Sequence, residues 1–387
     1  MTNLELLERY GEVMMDAFGK PKRVLTRGEG VHVWDADGKQ YTDLLAGIAV
    51  LALGHAHPTV TDAVTQQMGA LGHISNFFAS EPQIRLAERL VQHMGERSAK
   101  VFFTNSGSES NEAAFKISRL TGRTKIVAME GSFHGRTMGS LAITANAKYR
   151  EPFEPLPGDV QFVPYGDQAA LEQAVDETTA AVVLEVVQGE NGVVPAPEGF
   201  VEAARTITQR HGALLWIDEV QTGIGRLGAM FAHQAEGVRP DLVTLAKGLG
   251  NGFPIGACLA TGPAAQLLQP GMHGTTFGGN PVAAAAGNAV LDVLESGLLA
   301  EAEDTGAWFA EQVRALQHSR IIEVRGRGML WGIVFDRDIA PAVSDAALEA
   351  GFITNAPRPN VLRIAPPLII TPAELAPFVR ALPSWLE

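Results

Sequence analysis

Leu214-Leu-Trp-Ile-Asp218 and, one loop later, Leu242-Val-Thr-Leu-Ala-Lys247 carry the reading of this chain. Each is a short apolar run that ends on a charged residue. Such runs suit strands of a parallel sheet, which are apolar on both faces because helices cover both. A carboxylate or an ammonium at the end of a buried strand is costly unless something meets it there. Ligands of open α/β sheets bind beyond the carboxyl ends of their strands, and that is where Asp218 and Lys247 stand. Taken singly, Asp218 reads as a loop cap and Lys247 as a solvated strand end. Neighbouring strand tips carrying both make that reading harder to hold.

Outward from this pair the pattern repeats. Val101 to Thr104, Lys125 to Met129 and Ala181 to Val187 read as further buried strands. Between them lie helical stretches, Glu109 to Leu120 and Gly199 to Arg210, the latter with Phe200, Ala203, Ala204 and Ile207 on one face. Alternating strands and helices predict an α/β fold whose mostly parallel sheet is covered by helices. After about Ala285 the chain turns to long helices and then to strands near Ile321 to Val334 and Val361 to Ile364, a smaller α+β domain. Near the start, Val31 to Trp34 and Tyr41 to Leu44 flank Asp35-Ala-Asp-Gly38, a hairpin signal whose spacing is wrong for a calcium loop. The expected division is 1–57 as an N-terminal segment joining the small domain, 58–285 as the large domain and 286–387 as the C-terminal small domain.

Composition narrows the function classes. A net charge of −13 offers no footprint for a nucleic-acid backbone or an anionic membrane. The single cysteine, Cys258, excludes an internal disulfide and a thiolate zinc cluster. The first residues lack the basic start and apolar core of a signal peptide. No apolar run approaches the ~18 residues of a membrane span, so a cytoplasmic protein is expected. His55-Ala-His57 has no third ligand in view and reads as a turn, so no metal is expected.

Two glycine-containing segments compete for a ligand. Asn105-Ser-Gly-Ser108 precedes a helix, where free N–H groups and the positive dipole end suit a phosphate, though a plain N-cap explains it equally. Lys247 runs into Gly248-Leu-Gly-Asn-Gly252; a lysine desolvated there gains the nucleophilicity that Schiff-base chemistry needs. Gly223-Ile-Gly-Arg-Leu-Gly228 matches a dinucleotide fingerprint. However, Asp218-Glu-Val-Gln-Thr222 separates it from the strand, and the match reads as coincidental.

Six motifs in order, Thr104-Asn-Ser-Gly-Ser-Glu-Ser-Asn-Glu-Ala113, Phe133-His-Gly-Arg-Thr137, Gln188-Gly-Glu190, Asp218-Glu-Val-Gln-Thr-Gly-Ile-Gly-Arg226, Leu245-Ala-Lys-Gly248 and Thr275-Thr-Phe-Gly-Gly-Asn-Pro281, resemble the class III aminotransferases. The resemblance spans nearly the whole chain. It implies the fold-type I architecture, pyridoxal 5'-phosphate as cofactor and a homodimer with shared active sites. By the same resemblance, Lys247 holds the cofactor and moves the proton, and Asp218 meets its ring nitrogen. Ser106, Gly107 and Ser108 take its phosphate, with Thr276 reaching the phosphate of the other protomer. Phe133 stacks on the ring, and Gln221 lies near its phenolic oxygen. Arg136, Glu190, Thr275, Arg363 and Ile48 contact substrate, with Glu190 hiding the charge of Arg363 when its carboxylate ligand is absent.

Gly47-Ile-Ala-Val50, Gly54-His-Ala-His-Pro58 and Leu362-Arg-Ile-Ala-Pro-Pro367 are similar to the subgroup acting on N2-acetylornithine. That subgroup passes the δ-amino group to 2-oxoglutarate, giving glutamate and N-acetylglutamate semialdehyde in arginine biosynthesis. N-succinyl-diaminopimelate is a further candidate substrate; ornithine or 4-aminobutyrate is the alternative within the family. Ile48 stands where ornithine-specific relatives carry a tyrosine for the free α-amine. Departures include Val186 where proline is common and Phe277 where tyrosine is frequent.

Overall fold

A computed structural model describes residues 1–387. Its main sheet contains β1 (Lys100–Thr104), β2 (Lys125–Met129), β3 (Asp159–Val163), β4 (Thr179–Leu184), β5 (Leu214–Asp218), β6 (Leu242–Leu245) and β7 (Gly256–Ala260). The spatial order is β3-β2-β4-β5-β6-β7-β1. Pairs are parallel except those of β7, which runs against both β6 and β1. Every residue of β4, β6 and β7 is buried, as expected of strands covered on both faces.

Two strands lay outside the expected set. Gly256-Ala-Cys-Leu-Ala260 lacks β-branched residues and gives no β signal of its own. It is a strand because its neighbours demand a small residue there: a Cβ on Gly256 would lie 2.5 Å from Thr104 Oγ1 and 2.6 Å from Ser110 Oγ. The other, β3, is the sheet edge, where polar and apolar residues mix. One expected strand ends early, because the chain leaves the sheet after Leu184, placing Glu185 at the tip. Val187–Gln188 then pairs with Val194–Pro195 in a small hairpin.

The helix after β1, α1 (Gly107–Arg119), begins two residues before the expected Glu109. Ser106 is its cap, accepting the Glu109 N–H on Oγ at 3.2 Å. Gly107 and Ser108 therefore sit within the first turn, where their N–H groups have no intrahelical partner. Gly107 is required for packing, since a Cβ there would approach Val220 Cγ1 to 2.6 Å. This contact joins the start of α1 to the loop beyond β5. The helix α2 (Phe200–His211) matches its expected span and precedes β5.

The helix α3 (Pro281–Val293) opens a helical run reaching Ala315. That run contains an 18-residue window of mean hydropathy 1.4, so it has the length and composition of a membrane span, against the expectation that no such stretch exists. Its apolarity has another cause: 56% of the window is buried in the protein. α3 packs against helices Pro58–Ala70 and Glu81–Met94, and is apolar all round because it is enclosed.

The C-terminal strands β8 (Ile321–Arg327), β9 (Leu330–Phe335), β10 (Asn355–Arg358) and β11 (Val361–Ile364) form an antiparallel sheet ordered β8-β9-β11-β10. A separate sheet joins the N-terminal strands Leu25–Glu29, His32–Asp35 and Gln40–Asp43 to Phe352–Ile353, which pairs in parallel with Gln40–Asp43. In the expected hairpin, Asp35 Oδ1 accepts the N–H groups of Asp37 and Lys39 at 3.0 and 2.9 Å, which is turn chemistry. Ala46, Gly47, Ile48 and Ala49 have φ of 52°, 62°, 69° and 59°, one turn of left-handed helix. Asp43 anchors it, accepting the Leu45 and Ala46 N–H groups on Oδ1 and bonding His55 Nε2 through Oδ2 at 2.8 Å. His55 is thus part of a structural turn.

Candidate active site

Beyond the tips of β5 and β6, beside the start of α1, lies a cavity of about 310 Å³. Ser106, Gly107, Ser108, Phe133, Glu190, Asp218, Gln221 and Lys247 line it together. The register of β5 and β6 explains the meeting: Asp218 lies opposite Thr244, so the chain leaving β6 carries Lys247 past the same sheet edge.

Asp218 is buried yet fully engaged. Its Oδ2 accepts from His134 Nδ1 at 2.6 Å and from Asn111 Nδ2 at 2.8 Å, and its Oδ1 accepts the Val220 N–H at 2.9 Å. Bonding to a carboxylate fixes the proton of His134 on Nδ1. Burial lowers the His134 pKa, but the bond to Asp218 and the charges of Asp218 and Glu185 outweigh it, so the net shift is upward. His134 Nε2 and Asn111 Oδ1 are buried without partners.

Lys247 has φ 43°, a left-handed backbone uncommon for lysine, and it is only partly open, toward the cavity. Desolvation brings its pKa down to about 8, partly countered by Glu190 and compounded by Arg363. The result is a primary amine with a far larger neutral fraction near physiological pH than an ordinary lysine. Glu185, at the tip of β4, is pushed up to about 7, chiefly by burial. Its Oε1 accepts the Phe133 N–H at 3.1 Å and its Oε2 the Gly189 N–H at 3.4 Å. That one carboxyl ties the Phe133 loop to the turn bearing Glu190.

At the other end of the cavity, the Gly107 and Ser108 N–H groups bond to nothing in the protein. They point outward from a helix thirteen residues long, an anion site in waiting. Ser108 Oγ accepts the Arg136 N–H at 3.3 Å, so it is a loop anchor as well as a wall residue, and the capping role falls to Ser106.

Arg363 and Arg136 do not line the cavity themselves: Arg363 meets it through its partners Glu190 and Gln221, and Arg136 follows Gly135 of its wall. Arg363 is 0% exposed, donating from Nη1 to Glu190 Oε1 at 2.6 Å and Gln221 Oε1 at 3.3 Å, and from Nε to Asn355 Oδ1 at 3.0 Å. Burial raises the Glu190 pKa, but Arg363 and Lys247 more than offset it, so the carboxylate is held ionised. Arg136 is exposed and stacks on aromatic rings instead. Three expected residues lie elsewhere. Thr275 and Thr276 line a second cavity of about 630 Å³, where Thr275 Oγ1 accepts from Asn105 Nδ2 at 3.2 Å. Ile48 is 41% exposed on the left-handed turn, and Val50 rather than Ile48 lines the main cavity.

Sequence reasoning missed His134, Asn111 and Glu185. Glu185 carried the same signal as Asp218, an acid closing an apolar strand, and was hidden by running that strand on to Val187. His134 lay within a quoted motif between two residues that drew the attention. Asn111 follows Ser108 by about one turn of α1 and gave no signal of its own. The Gly223–Gly228 loop opens no helix; the next helical piece is the three-residue turn Ala232–Gln234. Its Arg226 is buried and donates to the carbonyls of Met329 and Pro366, so the loop serves packing.

The donor set has a definite chemistry. An unpaired, desolvated amine suits an aldehyde, free N–H groups at a helix start suit a phosphate, and an engaged carboxylate suits a protonated ring nitrogen. Pyridoxal phosphate presents all three, and the residues fit it.

Residues 15–386 match the class-III aminotransferase family. The acetylornithine aminotransferase of Mycolicibacterium smegmatis is 57% identical over 99% of this chain and 98% of that protein. The acetylornithine aminotransferase of Streptomyces coelicolor is 56% identical over 100% and 96%. Among solved structures, N-acetylornithine aminotransferase from Stenotrophomonas maltophilia gives a TM-score of 0.84 at 36% identity, covering 98% of each chain. Ornithine aminotransferase from Toxoplasma gondii gives 0.95 at 31% identity, covering 100% of this chain and 95% of that one. With the site and the whole length in agreement, this chain belongs to the class-III aminotransferases, enzymes of the fold-type I α/β architecture.

Proposed function

We propose that this enzyme moves the δ-amino group of N2-acetylornithine to 2-oxoglutarate, a step of arginine biosynthesis. The observation that carries the reaction type is the unpaired amine of Lys247, lowered to about 8, in one cavity with the engaged carboxylate of Asp218. Pyridoxal phosphate, when bound, supplies an aldehyde for the amine and a ring that accepts electrons from the substrate carbon. Lys247 would hold it covalently, and its Nζ would serve as the base that takes the proton from the substrate carbon and delivers it to the cofactor's former aldehyde carbon. Asp218, oriented by His134 and Asn111, would hold the proton on the ring nitrogen. Gly107, Ser108 and Ser106 would receive the phosphate, and Phe133 and Gln221 the ring and its phenolic oxygen.

Substrate selection belongs to the rim. Arg136 would bind the α-carboxylate of N2-acetylornithine and then the side-chain carboxylate of glutamate. Arg363 would take the α-carboxylate of glutamate once Glu190 yields, a fork-to-carboxylate pairing suited to arginine. Ile48 is an apolar neighbour for an acylated amine, and relatives at 56–57% identity named for acetylornithine support that choice over ornithine or 4-aminobutyrate. The proposal extends to a homodimer in which Thr276 completes the phosphate site of the other protomer and Thr275 shapes its substrate entrance. The 92% exposed Phe77, beside Thr276 in the second cavity, supports it. The division 1–57, 58–285 and 286–387 is part of the same reading. The deciding measurement is kcat/KM for N2-acetylornithine against ornithine; a strong preference for ornithine overturns the substrate. Borohydride treatment of the holoenzyme should fix the cofactor's mass on Lys247, read by peptide mass spectrometry.

A further inference from the structure

Arg363 has a carboxylate partner, and Arg136 has none. Its guanidinium carbon sits 3.5 Å from the ring centroid of Tyr149 and 5.5 Å from that of Phe133. The two rings meet edge to face, 6.4 Å apart at 88°. Tyr149 lies on the short helix Ala147–Arg150, whose start is pinned by Asn146 accepting the Lys148 N–H at 3.1 Å. The backbone of Arg136 is fixed on the other side by the bond to Ser108 Oγ. Arg136 also contributes to holding Glu190 ionised, so its charge is felt within the site.

An arginine held over an aromatic face keeps N–H groups free for a carboxylate. The rotamer entropy that capture of a ligand would cost has already been surrendered in the stack. We propose that Tyr149 is a specificity-determining positioning residue: its ring pre-orients Arg136 for the carboxylates of both substrates. The inference rests on the reading of Arg136 as a carboxylate binder and adds a residue that this reading does not contain. Tyr149 touches neither the cavity of Lys247 nor the residues given to the cofactor, apart from the edge of Phe133.

The test uses Tyr149→Phe, Tyr149→Leu, Tyr149→Gln and Arg136→Leu holoenzymes. Two measurements are made on each: steady-state kinetics, and the Kd of glutarate, a non-reacting dicarboxylate, by calorimetry. Losing a partly exposed cation–π contact should raise KM for N2-acetylornithine and 2-oxoglutarate about three- to tenfold in Tyr149→Leu and Tyr149→Gln. The glutarate Kd should rise by a similar factor, with kcat within about twofold. Tyr149→Phe, which keeps the ring, should match wild type in both. A fall in kcat with KM and Kd unchanged would assign Tyr149 a structural role and overturn the proposal. Equal losses in Tyr149→Phe would place the effect on the hydroxyl and overturn it too. If Arg136→Leu weakens glutarate while neither Tyr149→Leu nor Tyr149→Gln does, this inference alone fails. If Arg136→Leu changes neither quantity, the underlying reading of Arg136 fails.

Discussion

The floor of the site and its rim are built on opposite terms. On the floor, Asp218, His134, Asn111 and Glu185 are buried, and Asp218 satisfies both carboxylate oxygens within one chain. Around it, Arg136 is exposed without an acid, Ile48 is 41% exposed and the Thr275–Thr276 segment faces a second cavity; only Arg363, buried and paired with Glu190, resembles the floor. A buried charge that is fully engaged holds one geometry, which chemistry on a fixed cofactor needs. Exposed groups without partners wait for a ligand. The floor therefore sets what reaction occurs, and the rim sets which molecules undergo it.

The largest effect should come from the floor. Lys247→Ala removes the group proposed both to hold the cofactor and to move the proton, and turnover should fall by at least about 10⁴-fold. Single-turnover absorbance with N2-acetylornithine measures it; residual activity within tenfold of wild type would contradict the assignment. Asp218→Asn should retain the cofactor yet slow proton abstraction by about 10² to 10³-fold, because a neutral amide cannot stabilise the ring proton. A near-normal kcat would remove that role. The same substitution should lower the His134 pKa, since the negative charge that helps raise it is gone; imidazole NMR shifts follow this directly.

The Lys247 shift also makes a pH prediction for the cofactor-free protein. Its folded pKa of about 8 lies below the ordinary lysine value of 10.5. Below about 8 the folded protein must carry a desolvated ammonium, which opposes folding. Between about 8 and 10.5 the unfolded chain binds more protons than the folded one, so stability from this group rises with pH. The unfolding midpoint of wild type relative to Lys247→Ala should therefore increase across that window. A flat difference would mean that the amine is not desolvated.

At the rim the effects shrink and change kind. Glu190→Ala should leave kcat for N2-acetylornithine within a few fold. It should shift preference by about tenfold toward donors that place an α-carboxylate on Arg363, such as glutamate, because Arg363 no longer has to be uncovered. Stability should drop as well, since Arg363 is left buried without its counter-charge. Unchanged donor preference would remove Glu190 as a selector.

The floor was legible in the sequence for the reason it works: a charge closing an apolar strand is rare enough to read. Lys247 and Asp218 were found that way, and so was the parallel sheet behind them. Glu185 obeyed the same rule and was lost to a strand boundary three residues too late. β7 was lost because its small residues carry no strand propensity and Gly256 is demanded by close packing against Thr104 and Ser110. The rim gave little beyond family resemblance. An exposed arginine stacked on a tyrosine thirteen residues away has no pattern in one dimension. The Arg363–Glu190 pair joins residues far apart in sequence and is equally silent.

The left-handed turn Ala46–Ala49 is the sharpest case, because only Gly47 hints at positive φ. Each non-glycine residue there sits about 1–2 kcal/mol above its right-handed alternative, and a β-branched side chain fares worst. Ile48 is 41% exposed, so its removal still forfeits part of its burial, on the order of 1 kcal/mol. Ile48→Gly should therefore leave stability within about 1 kcal/mol of wild type, relief of strain being offset by that burial and by the greater backbone entropy of glycine in the unfolded chain. The urea midpoint measures this. The same change should narrow the preference for N2-acetylornithine over ornithine by a few fold, since the apolar neighbour of the acylated amine is gone. Strain kept at one exposed isoleucine makes sense only if that side chain is used. A destabilised variant with unaltered preference would show that the turn is held for packing and that the rim selects its substrate elsewhere.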